Sequence, residues 1–404
     1  MNPKEIINNF WWVGTQDPEL RVFDILLSTD IGTSYNSFLL KGGKKNVLFD
    51  AAKASFTDGY IKALESIISV SDIDILVVSH TEPDHSGAIE KLLDMNPDIE
   101  LCATMGGLNF IKEIVNREFY GTCVKDGDEI DIGGRTLRFI TAPNLHWPDT
   151  MFTYIPEDKI LVTCDAFGAH FSYDPAVYDG NIDKGKYLDE ARYYFDNIMR
   201  PFCPDVLKAI EKIEGLEIDV IANGHGPVFK GNTGFIIDLY RTWASEPERN
   251  VRKTVIIPYV SAYGYTRMLA EKIIEGIKAA GDVDVKIYDM VYSKTEEVIS
   301  EIGKADGFLL GTPTLVGEAL PPIWSIAASL NPRIHGGRFA GAFGSYGWSG
   351  EGVPHITERL KQLKMKIVGE GFRVRFKPSE DDLTAAYEFG KTFGTAVVTD
   401  TLPE

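Results

Sequence analysis

The chain has 404 residues, 44% of them hydrophobic and 25% charged, which predicts two or three globular domains with full cores. Its formal net charge of −18 disfavours direct binding to nucleic acid or to an anionic membrane surface. No apolar run approaches the roughly 20 residues that a bilayer-spanning helix needs.

In chain order, the start Met1-Asn2-Pro3-Lys4-Glu5 lacks a charged-then-apolar leader pattern, so a cytoplasmic location is expected. Residues 35–41 and 45–50 read as a hairpin turning at Gly42-Gly43. Residues 73–79 form a short apolar strand, and a helical pattern begins at Ser86 and runs to Asp94. Two strands flank Gly133-Gly134, residues 159–164 are another, and 218–222 complete the set. The polar, Pro-containing stretch 244–250 is the candidate linker, giving domains at 1–249 and 250–404. After it the pattern is regular. Strands are predicted at 254–260, 284–290, 307–311, 339–343 and 366–368, with helices between them, including 266–280 and 295–302. Such alternation predicts an α/β doubly wound parallel sheet. The cysteines Cys102, Cys123, Cys164 and Cys203 form no C-x-x-C pair and read as structural thiols.

Metal-competent side chains crowd the turn after the apolar strand, in Ser79-His80-Thr81-Glu82-Pro83-Asp84-His85-Ser86-Gly87. A strand end fixes ligands better than a long loop does. The arrangement recurs downstream. His146 follows the strand-like 136–141, Asp165 ends 160–164, and His225 follows 218–221 between Gly224 and Gly226. Four histidines and three carboxylates suffice for two metal ions with Asp165 bridging them. Imidazole with carboxylate and no thiolate suits iron, zinc or manganese. A lone histidine is more often a turn or packing residue. His170, His335 and His355 lack this setting and read as surface residues, as packing residues or as residues behind the ligands, with the plain reading favoured.

Three loops of the second half open at the predicted carboxyl edge of the sheet, where doubly wound folds bind ligands. Ser261-Ala262-Tyr263-Gly264-Tyr265-Thr266 offers hydroxyls and N–H groups at a helix start, which suits a phosphate, though such turns are often simple caps. Gly311-Thr312-Pro313-Thr314-Leu315 follows the third strand. Gly344-Ser345-Tyr346-Gly347-Trp348-Ser349-Gly350-Glu351 follows the fourth, and its aromatics among glycines suit the walls of a flat ring.

The metal motif resembles that of the metallo-β-lactamase fold, H-x-H-x-D-H, with Glu82 in place of the second histidine. In that superfamily the change is characteristic of flavodiiron proteins, and the three loops resemble the FMN site of flavodoxin. The resemblance covers almost the whole chain. It implies an α+β metallo-β-lactamase-like αββα sandwich over 1–249, followed by a flavodoxin-like FMN-binding domain over 250–404. It implies two non-haem irons, one held by His80, Glu82, His146 and bridging Asp165, the other by Asp84, His85, Asp165 and His225. In some relatives water displaces the histidine matching His85. FMN is expected at Ser261, Tyr263, Gly264, Tyr265, Thr266, Pro313, Thr314, Leu315, Ser345, Tyr346, Gly347, Trp348 and Gly350. Trp147 and Tyr194 are expected to line the pocket.

The resemblance further implies reduction of dioxygen to water, of nitric oxide to nitrous oxide, or of both. A head-to-tail homodimer or a dimer of dimers is expected on the same ground. The chain stops at Glu404 with no fused rubredoxin or flavin-reductase module. The expected electron donor is therefore separate, a rubredoxin-like protein or a reduced deazaflavin. One departure is Asp24, where many relatives carry a histidine within the stretch matching 21–25. Two other readings compete: a dizinc hydrolase with an appended flavodoxin-like domain, against which Glu82 speaks, and a flavin-only electron carrier or gas sensor.

Overall fold

The computed structural model describes residues 2–24, 27–174, 176–179, 181–246 and 249–403. The chain divides into two compact units, Met1–Glu246 and Pro247–Glu404. Of the expected linker, Pro247 and Glu248 lie outside the described residues, as does Ile25 of the stretch around Asp24.

The first unit holds two seven-stranded sheets. One runs in the order Lys4–Ile7, Phe10–Trp12, Phe38–Lys41, Asn46–Phe49, Ile75–Val77, Glu100–Ala103, Tyr120–Cys123. The other runs Glu129–Asp131, Thr136–Thr141, Met151–Ile155, Ile160–Cys164, Val220–Asn223, Val228–Lys230, Val177–Tyr178. Side chains alternate along a strand, and that alternation builds three apolar layers. Phe38, Val47, Phe49, Ile75 and Val77 of the first sheet meet Phe139, Met151, Ile160, Val162 and Val220 of the second. On the first sheet's outer face Leu39, Leu48, Leu76 and Leu101 pack against helical Tyr60, Leu64, Ile89 and Ile111. On the second sheet's outer face Phe152, Leu161 and Ile221 pack against helical Tyr187, Phe195, Ile210 and Tyr240. The result is the expected αββα sandwich.

Details differ from the sequence reading. The strand expected over 35–41 is broken at Asn36 and Ser37, and Tyr35 pairs elsewhere, in Thr33–Tyr35 with Thr15–Asp17. Asn36 instead uses its side-chain amide on the carbonyls of Asn223 and Gly226, both at 2.8 Å. The helix expected over 86–94 is split into Pro83–Ser86 and Ile89–Met95 around Gly87.

The second unit has one parallel sheet in the order Asp284–Asp289, Thr254–Tyr259, Gly307–Gly311, Phe339–Tyr346, Lys366–Ile367. The short strand Phe372–Arg375 adds to the same edge of Phe339–Tyr346. Helices cover both faces. One face carries Thr295–Lys304, Pro321–Ser329 and Gly352–Gln362, the other Tyr265–Ala280 and Glu380–Thr399. The last helix opens with a capping box, in which Asp382 N donates to Ser379 Oγ (3.2 Å) and Ser379 N donates to Asp382 Oδ2 (2.9 Å).

Helices Tyr265–Ala280 and Glu380–Thr399 touch backbone to backbone. A Cβ on Gly276 would lie 2.0 Å from the Tyr387 carbonyl oxygen, and one on Gly390 would lie 2.1 Å from that of Ile273. Neither neighbour is a flexible side chain, so the helices would have to separate. Gly276→Ala is therefore expected to destabilise this unit by roughly 2–3 kcal/mol. Thermal unfolding followed by circular dichroism checks it, and an unchanged midpoint contradicts the close contact.

Candidate functional site

The strand Ile75–Val77 of the first sheet delivers the turn 79–87. Pro83 opens the short helix Pro83–Ser86, which turns Asp84 and His85 inward. Ser86 Oγ donates to the carbonyls of Thr81 and Glu82, both at 3.0 Å, and closes the turn on itself. The second sheet supplies Asp165 just past Ile160–Cys164 and His225 just past Val220–Asn223. His146 lies between Thr136–Thr141 and Met151–Ile155. The seven side chains thus come from both sheets and converge on one end of the sandwich.

Two clusters result, each with its candidate ligand atoms within 4.8 Å of one another: His80, Glu82, His146 and Asp165, and then Asp84, His85 and His225; a third group, His85, Cys164 and Asp165, overlaps both. Asp165 joins them. Its Oδ2 lies 3.2 Å from His80 Nε2 and 3.1 Å from His146 Nε2. Its Oδ1 lies 2.9 Å from His85 Nε2 and 3.3 Å from His225 Nε2. Glu82 Oε2 stands between His80 Nε2 (3.1 Å) and His146 Nε2 (2.9 Å). One carboxylate oxygen therefore faces each cluster.

These donors fit metal cations. His85 Nε2 and His225 Nε2 are only 3.2 Å apart, and two imidazole lone pairs at that distance need a shared positive centre or a proton. Asp84 is buried with no hydrogen-bond partner on either carboxylate oxygen. Its Oδ2 lies 3.2 Å from His225 Nε2, but without hydrogen-bond alignment. Buried carboxylates are paired or bind metals. In the protein alone, burial works against charge on the imidazoles, but the carboxylates outweigh it. His146 is pushed up to about 9 by Asp165 and Glu82 against burial, and His225 up to about 10 by Asp165 and Asp84 against burial. Burial raises Asp165, and the surrounding histidines more than reverse that, holding it well below the carboxylate range.

Neighbours behind the cluster orient it. His225 Nδ1 donates to the Ser34 carbonyl at 2.6 Å, which leaves the Nε2 lone pair facing the cluster. Asp149 Oδ2 accepts from Thr81 N (3.0 Å) and Thr81 Oγ1 (2.7 Å), tying the His80 turn to the segment that carries His146. Gly224 approaches closely, since a Cβ there would lie 2.8 Å from His85 Cε1.

Trp147 is half-buried, with its ring 5.1 Å from that of His80. Tyr194 is fully buried behind the cluster, its hydroxyl donating to the Asp165 carbonyl at 3.2 Å. It supports Asp165 from behind, where the sequence suggested a pocket wall. His170 lies behind the ligands, one of the places kept open for it. It is 1% exposed, its ring is 5.1 Å from that of His225, and its Nδ1 is 3.0 Å from Thr33 Oγ1. Asp24 is exposed beside the cluster. Partial burial, then the Glu82 and Asp84 carboxylates, raise it to about 6, against Lys53. Lys53 Nζ donates to Tyr35 Oη at 3.2 Å. Asp149, Thr33 and Lys53 were missed by sequence reasoning; the sole hint was an acid three residues after His146. His335 is buried beside Asn331, and exposed His355 pairs with Glu318 at 2.9 Å.

In the second unit the expected loops follow Thr254–Tyr259, Gly307–Gly311 and Phe339–Tyr346, adjacent parallel strands, so they share one sheet edge; Gly344, Ser345 and Tyr346, expected in the third loop, instead extend its strand, because they pair with Phe372–Arg375. In the first loop Arg267 N donates to Ser261 Oγ (3.3 Å), while Gly264 and Tyr263 are exposed and Tyr265 is half-buried. Buried Thr266, in the first turn of the helix after the first loop, and Ser345, near the end of the strand before the third, meet Oγ1 to Oγ at 3.0 Å. Gly352 N donates to Thr314 Oγ1 at 3.2 Å, joining the third loop to the second. Pro313 is buried and Leu315 exposed. Tyr346 is half-buried against Gly350, Gly347 is half-buried, and Trp348 is 91% exposed.

Comparison with known proteins agrees with both halves. Residues 33–226 match the family described as ODP family beta lactamase, and residues 257–390 match Flavodoxin. The chain is 40% identical over 399 residues to the flavo-diiron protein FprA2 of Clostridium acetobutylicum, covering 97% of this chain and 99% of that one. It is 34% identical to the nitric oxide reductase of Moorella thermoacetica, covering 98% and 99%. The solved rubredoxin oxygen:oxidoreductase of Desulfovibrio gigas superposes with a TM-score of 0.75 at 27% identity, over 98% of this chain and 99% of that one. A lactamase-like sandwich carrying a two-cluster carboxylate–histidine site, followed by a flavodoxin sheet, defines a flavin-linked oxidoreductase. The chain belongs to the flavodiiron protein family, whose cofactors are FMN and a non-haem diiron site. No described helix is long and apolar enough to cross a membrane.

Proposed function

We propose that this chain reduces dioxygen to water, nitric oxide to nitrous oxide, or both, using electrons that FMN relays from an external donor. The observation that carries the reading is the division of Asp165 between two clusters, Oδ2 toward His80 and His146, Oδ1 toward His85 and His225. His80, Glu82, His146 and Asp165 would hold one iron, and Asp84, His85, Asp165 and His225 the other. When bound, paired ferrous ions would supply electrons together to a diatomic, and FMN would take and pass them singly. The protein's own part is orientation. Ser34 fixes the tautomer of His225, and Asp149 fixes the turn that carries His80 and Glu82. Glu82 favours iron over zinc, because a carboxylate is the harder ligand. The dizinc hydrolase reading is accordingly not favoured.

The inward setting of His85, 2.9 Å from Asp165 Oδ1, supports its place among the ligands. We assign 1–249 to the diiron site and 250–404 to FMN; each ligand set lies wholly within its own half. A rubredoxin-like protein or a reduced deazaflavin is the proposed donor, and a head-to-tail homodimer the proposed assembly. The relative from Desulfovibrio gigas is named for rubredoxin and oxygen, and that from Moorella thermoacetica for nitric oxide.

Anaerobic reduction of iron- and FMN-loaded protein, followed by separate exposure to each gas, tests the reading. Consumption rates and nitrous oxide yield distinguish the substrates. Zinc in place of iron, with no iron-dependent consumption of either gas, would sink it.

A further inference from the structure

The strand Phe372–Arg375 runs parallel to the carboxyl half of Phe339–Tyr346, setting Arg373 beside Gly344 and Arg375 beside Tyr346. Alternation along it turns Val374 into the core and leaves Arg373 and Arg375 exposed on the opposite face. Both reach the loop that follows Tyr346. Arg373 Nη1 donates to the Gly350 carbonyl at 3.0 Å, and Arg375 Nε donates to the Gly347 carbonyl at 3.0 Å. Each guanidinium also lies over a ring at the same junction. Arg373 is 6.0 Å from the centroid of Tyr346, and Arg375 is 5.8 Å from that of Phe376. Phe376 N donates to the Tyr346 carbonyl at 2.7 Å. The two rings sit against the glycines, since a Cβ on Gly350 would lie 2.8 Å from Tyr346 and one on Gly347 would lie 3.1 Å from Phe376.

We propose that Arg373 and Arg375 are positioning residues for the flavin, clamping the loop 346–350 by its carbonyls and adding positive charge beside it. This rests on the assignment of that loop to the flavin ring. Across a trans peptide the C=O and the following N–H point in opposite directions. Holding the Gly347 and Gly350 carbonyls toward the arginines therefore turns the N–H groups of Trp348 and Glu351 away from them and fixes both as donors. A segment with three glycines among residues 344–350 loses much backbone freedom on ordering, and a clamp lowers what the ligand must supply. Reduced FMN carries more negative charge than oxidised FMN, so nearby guanidinium charge favours the reduced form.

The test uses the full chain, stripped of FMN and titrated with FMN by fluorescence quenching, then poised in a redox titration. In Arg373→Gln/Arg375→Gln, affinity for oxidised FMN is expected to fall on the order of tenfold. Affinity for reduced FMN should fall about tenfold further, a midpoint shift of ~30 mV to the negative for a two-electron couple. Arg373→Lys/Arg375→Lys keeps the charge without the planar fork. It should recover the midpoint but not the affinity, and it serves where the glutamine variant fails to fold. Wild-type affinity and midpoint in a folded glutamine variant would overturn the clamp while the flavin assignment stands. Failure of the unaltered chain to bind FMN would overturn both.

Discussion

Replacing Asp165 with asparagine is expected to strip iron from both clusters at once while leaving FMN in place. The exchange keeps the shape of the side chain and removes its charge. Each oxygen of Asp165 contacts two histidines of a different cluster, so no single-cluster loss is available. Partners that merely orient a ligand cost 10–100-fold in affinity when removed. A shared ligand should cost at least ~100-fold at each position, and gas reduction should fall with it. The flavin spectrum serves as the internal control, because every candidate FMN residue lies in the second unit. Metal analysis against FMN content checks the result. A variant that retains iron in full would show that Asp165 does not bridge.

The second large effect is expected from Glu82→His, which restores the H-x-H-x-D-H pattern. Glu82 Oε2 stands 3.1 Å from His80 Nε2 and 2.9 Å from His146 Nε2, at the centre of its cluster. An imidazole there is a softer donor and removes one negative charge. In competition between ferrous iron and zinc, the bound zinc-to-iron ratio should rise on the order of tenfold. Zinc has no redox chemistry, so turnover should fall in step with iron content. Anaerobic loading from an equimolar mixture, followed by metal analysis, measures the ratio. A wild-type ratio would mean that the surrounding geometry, and not Glu82, selects the metal.

Much of this site was readable in the sequence, and the reason is chemical. Metal ligation admits few residue types, and each ligand here follows an apolar strand, so His80, Glu82, Asp84, His85, His146, Asp165 and His225 stood out without any contact information. The second unit was readable because its central strands are buried on both faces and its strands alternate with amphipathic helices. Thr254–Tyr259 and Gly307–Gly311 are buried throughout.

What stayed hidden depends on long-range contact. Thr33–Tyr35 is three residues long, too short for a period to show, yet Ser34 and Thr33 orient His225 across 191 and 192 positions of chain. Alone in the sequence, His170 looks like any other histidine; its place beside His225 exists only after folding. Lys184–Tyr194 carries so many polar residues that its buried stripe of Tyr187, Ala191 and Tyr194 is masked. Arg373 and Arg375 read as ordinary surface charge, because nothing local reveals which carbonyls they reach.

The origin of the ligands in both sheets carries a consequence beyond chemistry. His80, Glu82, Asp84 and His85 hang from one sheet, and His146, Asp165 and His225 from the other. Iron bound there would act as a staple across the sandwich, and its binding free energy would add to the stability of the folded state. A chain short of iron would then open more often at that end and be exposed to proteases in proportion. Iron supply would then set how long each molecule survives as well as whether it works, so the cell's stock of this enzyme would follow its iron without a dedicated regulator.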